Sequence, residues 1–171
     1  SCRSFAKADP ERYRLVVIPY ASLVRKGVWE NLQKMVEAGA TAVVTFDSLD
    51  WSDDGYEPLP LAQFAGIRTE KEALPAGLKL QFDGREFSLE KGDYCGKYGE
   101  KIAADGAEVI GRCSDGSPAI TMKQIGRGKL YYVAARLDLC AADALIRKLG
   151  AEAGLKKPVE VAFRENKEFP Y

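Results

Sequence analysis

The apolar residues of this chain change period along its length, and the changes mark its elements. "YRLVVIP" (13–19) is a short apolar, β-branched run stopped by Pro19, the length and texture of a buried strand. "KGVWENLQKMVEAGA" (26–40) places Val28, Leu32, Met35 and Val36 at helical spacing, with Gly39 where a C-terminal cap belongs. "TAVVTF" (41–46) reads as a second buried strand. Strand, helix and strand with short connections form a parallel crossover unit. "LPLAQFAGI" (59–67) fits a short helix ended at Gly66, and residues 69–76 read as a connection.

From Leu78 the period drops to two. "LKLQF" and "EFSLE" alternate around Asp83-Gly84, a strong hairpin signal. "AEVIGRC" (107–113), "AITMKQ" (119–124) and "KLYYVAA" (129–135) read as further strands, the last two joined by the glycine turn of "IGRGK". The stretch 91–106 is rich in Gly, Lys and Asp and reads as loop, so residues 77–106 are expected to be a hairpin-and-loop insertion. Of Tyr131 and Tyr132, alternation predicts one inward and one outward. "DLCAADALIRKLGAEAG" (138–154) predicts a helix with Asp138 as N-cap, and "VEVAF" (159–163) predicts a last strand.

The expected fold class is α/β: a mostly parallel sheet flanked by helices, with a β-rich antiparallel middle section. A doubly wound sheet needs helices on both faces. Only two long helices are predicted, and residues 1–12 are too few for another strand and helix. The expectation is a single domain over 1–171 that lacks its first βα unit and is a piece cut from a larger protein, with 164–171 leading out of it.

Composition narrows the chemistry. The chain has 171 residues and is 46% hydrophobic, enough for one core. Lys+Arg and Asp+Glu are 25 each, so no basic excess points to nucleic acid. No apolar run of about 18 residues is present, and no membrane partner is expected. There is no histidine, which removes the commonest general base and metal ligand and every Ser-His or Cys-His pair. Cys2, Cys95, Cys113 and Cys140 form no CxxC pair and read as buried free thiols. No cofactor or metal is expected.

The segment with candidate chemistry is "TFDSLDWSDDGYEP" (45–58), which gathers Asp47, Asp50, Asp53 and Asp54 around Trp51. Asp50, Ser52 and Asp54 before Gly55 imitate half of an EF-hand loop, but its twelfth position is Leu61, not the bidentate Glu that closes the oxygen shell. Paired carboxylates for glycoside hydrolysis are a second reading. A third is binding of a sugar or small ligand, with Trp51 and Tyr56 stacking and Asp50, Asp53 and Asp54 accepting hydroxyl bonds. The loop follows a parallel strand, where such folds place ligands. The favoured reading is a solvated or interface corner with Trp51 packed down. Ser48, with no base, is an ordinary hydroxyl.

"YRLVVIPYASLVRKGVWENLQKMVEAGATAVVTF", "PLPLAQFAGIR" and "AEVIGRCSDGSPAITMKQIGRGKLYYVAARLD" together, in this order, resemble the middle, or trimerisation, domain of glycoside hydrolase family 42 β-galactosidases. The resemblance runs from about Tyr13 to about Val161. It implies a flavodoxin-like fold related to class I glutamine amidotransferases, without their cysteine nucleophile and His-Glu pair. It implies a non-catalytic accessory domain that supports oligomerisation or a neighbouring catalytic barrel. The implied partners are the other domains of the parent and further copies of it. The family's catalytic glutamates lie on that barrel and have no counterpart here.

Overall fold

The computed structural model describes residues 2–53, 55–90 and 98–155. The expected strand at 159–163, the exit segment 164–171, Asp54 and Cys95 lie outside the described residues.

Strand β1 (Leu15–Ile18) is followed by the two-residue β2 (Leu23–Val24), helix α2 (Lys26–Ala38) and strand β3 (Thr41–Thr45). A short helix, α1 (Cys2–Phe5), precedes them. Asn31, buried on α2, ties this first segment down: its Nδ2 donates to the Phe5 carbonyl at 2.7 Å and to that of Ala8 at 3.0 Å. Then come β4 (Trp51–Ser52), α3 (Leu61–Ala65), β5 (Ile67–Ala73), β6 (Lys79–Phe82), β7 (Arg85–Ser88) and β8 (Glu100–Ala104). The chain continues through β9 (Glu108–Cys113), β10 (Pro118–Ile125), β11 (Gly128–Val133) and α4 (Leu139–Glu152).

Seven strands form one sheet in the order β1-β3-β11-β10-β9-β6-β7. β1, β3 and β11 are parallel; the pairings from β11 outward to β7 are antiparallel. The fold is thus mixed α/β. The expected antiparallel section extends the parallel strands in the same sheet, and β6 and β7 form its far edge. β5 and β8 pair antiparallel as a separate ribbon. Two expected connections are therefore strands: the pattern predicts helix end and connection over 67–73 and loop over 100–104, where β5 and β8 lie. The polar sequence of β5 hides it, because Ile67 is its only aliphatic residue before Ala73 and no apolar alternation is left to read.

Helices cover both faces. Val28, Trp29, Leu32, Met35 and Val36 of α2 pack with Ala42, Val44, Leu130 and Tyr132 in one core. Ala141, Leu145 and Leu149 of α4 pack with Val43, Tyr131, Val133, Leu80 and Phe82 in the other. Each fully buried aliphatic side chain contributes about 1.5–3 kcal/mol. Tyr131 and Tyr132 do lie on opposite faces, but both are buried, so neither is the expected outward anchor. Cys113 is a buried free thiol as expected; Cys140 is exposed.

Local chemistry explains the turns. Gly39 caps α2 at φ 121°, its N–H donating to α2 carbonyls. Asp83 and Gly84 both take positive φ, which a two-residue hairpin of the primed type requires. In the β10–β11 hairpin Gly126 is left-handed, whereas Gly128 is glycine for another reason: a Cβ there would strike the Val36 and Ala40 carbonyls at the end of α2. Asp138 caps α4, its carboxylate accepting from the Ala141 N–H at 2.7 Å.

Candidate functional site

The parallel strands end together, and the loops that leave them meet. After β1 the chain turns through Tyr20 at φ 49°, and after β3 through Asp47 at φ 53° and Leu49 at φ 56°. These non-glycine left-handed residues are held by a dense set of bonds. Thr45 Oγ1 accepts from the Tyr20 N–H at 2.9 Å and Ser48 Oγ from the Ala21 N–H at 3.1 Å. The Leu49 N–H donates to Ala21 and the Asp50 N–H to Ser22. β2 and β4 then pair in parallel, Leu23 beside Trp51 and Val24 beside Ser52. The loop is built onto the β1 exit rather than hanging in solvent. Leu49, fully buried, and Phe46, against which Tyr20 stacks edge-on at 5.4 Å, anchor it.

The acidic residues do not converge. Asp50 accepts from the Ser22 hydroxyl at 2.7 Å. Asp53 is exposed and lies 3.7 Å from the Arg25 guanidinium. Asp54 is outside the described residues. Ser52, the central oxygen of the half EF-hand pattern, is buried in an extended strand, so the backbone does not wrap as a calcium loop does. Among the described residues no three His, Cys, Asp or Glu side chains are grouped to hold a metal. Ser48 is buried and bonded to backbone and to Thr45, with no base beside it.

The aromatic residues of the loop do reach solvent. Trp51 is 47% exposed and its register partner Leu23 51%; Tyr56 is more exposed still. Trp51 is therefore not packed down as expected. It and Leu23 form an apolar ledge on the outside of the loop.

β11 carries a partly buried polar pair. The Tyr132 hydroxyl donates to the Glu100 carboxylate, joining β11 to the β5–β8 ribbon. Burial first, then the negative charges of Glu100, Asp50 and Asp47, push the Tyr132 phenol far above its ordinary value. Arg136 stacks over Tyr20 at 5.3 Å beside the same loops. Sequence reading did not pick out Tyr20, Arg136 or the Tyr132–Glu100 pair. These are contacts between segments distant in sequence, which no local pattern announces.

The family profile described as the Beta-galactosidase trimerisation domain matches residues 5–156. The chain belongs to this family. It is 34% identical over 161 residues to β-galactosidase BglY of Alicyclobacillus acidocaldarius, covering 86% of this chain and 23% of that protein. It is 31% identical over 171 residues to β-galactosidase Pbg of Clostridium perfringens, covering 90% of this chain and 24% of that protein. The β-galactosidase structure from Bacillus circulans sp. alkalophilus superposes with a TM-score of 0.74 at 27% identity, over 88% of this chain and 24% of the other. The chain thus spans about a quarter of the length of these relatives. The trimerisation-domain match covers both cores, the β2–β4 ledge and α4.

Proposed function

We propose that this trimerisation domain is a non-catalytic part of a β-galactosidase-like glycoside hydrolase and serves to hold its subunits together or to support its catalytic domain. The observation that carries the reading is the family match across nearly all of the described chain, joined to described loop carboxylates that bond Ser22 and Arg25. The described carboxylates of the acidic loop are spread among Ser22, Arg25 and solvent.

The kinship to class I glutamine amidotransferases belongs to the same proposal. Asp47 occupies a left-handed turn directly after a central parallel strand, a place where hydrolases of α/β type set a nucleophile. Here the turn carries a carboxylate followed by a buried serine, and the chain has no histidine. The scaffold suits that ancestry and the chemistry is missing.

The Leu23–Trp51 ledge suits contact with a neighbouring domain or subunit: half-exposed aromatic and aliphatic side chains on a bonded, ordered loop are what interface cores use. A carbohydrate could stack on Trp51 and Tyr56, but Asp50 and Asp53 are already engaged by Ser22 and Arg25, so the contact reading is preferred.

Hydrolysis of nitrophenyl β-galactoside tests the proposal. The longer protein that carries this domain turns over and the 171-residue chain does not. Turnover by the chain itself, abolished by Asp53→Asn, would overturn it.

A further inference from the structure

Cations gather where the three parallel strands begin. Arg14 precedes β1, Arg127 lies in the β10–β11 turn and Lys129 lies at the start of β11. All of them line one groove of about 320 Å³, with Thr41 and the helix ends at Gly39 and Glu152. Among the residues that line it, Glu152 is the one carboxylate.

That carboxylate is already engaged. Glu152 accepts from the Tyr131 phenol at 3.0 Å and from Lys129 Nζ at 3.5 Å. Part of the positive charge suits the ends of α2 and α4, whose last carbonyls attract cations. Arg14 Nη1 donates to the Gly154 carbonyl at 3.4 Å, which uses one of the five N–H donors of its guanidinium. Arg127 has no such use. Its backbone N–H donates to the Glu37 carbonyl at 3.1 Å and holds the residue at the groove. Its guanidinium, among the described residues, makes no ion pair or hydrogen bond.

Thr41 completes the groove. It pairs with Leu15 of β1 on one side and Lys129 of β11 on the other. Val43, two residues on, packs under α4, so alternation puts the Thr41 side chain on the same face. Thr41 is 8% exposed, yet among the described residues its hydroxyl has no hydrogen-bond partner. Burying an unpaired hydroxyl is unfavourable, and valine would fill a strand position without that cost. A buried hydroxyl between two available guanidinium groups is a set of donors for a negatively charged acceptor.

We infer that this groove binds an oxyanion, the carboxylate or phosphate group of a small ligand or of a side chain. Thr41 donates its hydroxyl, and Arg14 and Arg127 supply charge-assisted bonds. The volume lies at the lower end for small-molecule sites, which suits one anionic group rather than an oligosaccharide. An uncharged sugar would also leave both guanidinium groups unmatched.

Titration of the 171-residue chain with inorganic phosphate, against sodium chloride at matched ionic strength, tests the inference through the backbone amide shifts. A saturable shift at Gly39, Thr41 and Gly128 is expected. Arg127→Gln should raise the half-saturating phosphate concentration about tenfold or more. Thr41→Val should raise it with the charge unchanged. Arg85→Gln, which removes one positive charge at the far edge of the sheet, should leave it as it is. In the longer protein, unchanged phosphate binding identifies a free ligand. A groove silent to phosphate there, with a melting temperature lowered by Arg127→Gln, identifies a carboxylate of the longer protein as the occupant. Only this choice of source rests on the reading of the chain as a domain; the titration of the chain does not. The absence of a saturable shift in the chain, or the same half-saturation in Arg127→Gln and Thr41→Val, overturns the inference. So does a silent groove in the longer protein that Arg127→Gln leaves unaffected.

Discussion

The phenol of Tyr132, at the buried end of β11, donates its hydrogen bond to the carboxylate of Glu100 on β8. This bond adds to the backbone links between the main sheet's end and the β5–β8 ribbon, where the Glu100 N–H donates to the Ala134 carbonyl at 2.8 Å. Hydrogen bonds to charged groups contribute about 1.5–3 kcal/mol. Tyr132→Phe should therefore lower the urea unfolding free energy by about 2 kcal/mol. The same variant should speed exchange at the β8 amides before any change appears in β3.

Alkaline pH should destabilise the domain. The phenols of both Tyr131 and Tyr132 are raised, Tyr131 by burial and then by Glu152, Tyr132 by burial and then by Glu100. The folded state thus keeps protons that the unfolded chain releases near the ordinary tyrosine value of about 10. Stability is full below that value and falls as pH rises through it towards the folded values. Urea midpoints at about pH 9 and about pH 11 should differ, and the double Tyr131→Phe, Tyr132→Phe variant should show less of the decline.

Gly128→Ala should be among the most damaging single-methyl additions. Its Cβ would meet the Val36 and Ala40 carbonyls, backbone that cannot rotate away. Overpacking of this kind costs about 1–3 kcal/mol or more. Gly77→Ala is the control: it has positive φ but open space, and should cost only about 1 kcal/mol. Thermal melts of the two variants side by side check the contrast.

Two neighbours in the acidic loop should behave oppositely. Leu49 is fully buried, and Leu49→Ala should cost about 2–5 kcal/mol. Trp51 is half exposed, and Trp51→Ala should change the stability of the isolated chain far less. In the longer protein Trp51→Ala should instead weaken association, read as a rise in the concentration at which the assembly dissociates.

Much of this fold was legible in the sequence where period and punctuation agree. The α2 stripe with Gly39, the Asp83-Gly84 hairpin and the Asp138 cap are local signals that the tertiary structure leaves intact. β5 and β8 were not legible, since "IRTEKEA" has no alternating apolar face and depends on its partner strand. The two tyrosines misled because alternation tells that neighbours face opposite sides, not that one side is wet. The acidic loop was legible as a corner after a parallel strand. That its carboxylates separate while Leu23 and Trp51 share a ledge follows from the β2–β4 pairing, which two-residue strands do not announce.

The most direct test of the account is the solution mass of the longer protein carrying this domain, measured by light scattering across a dilution series. The account predicts a stable oligomer, a trimer if it assembles as the family description states, which Leu23→Asp with Trp51→Asp shifts towards monomer while each chain stays folded. A longer protein that is monomeric and fully active at every concentration would contradict it.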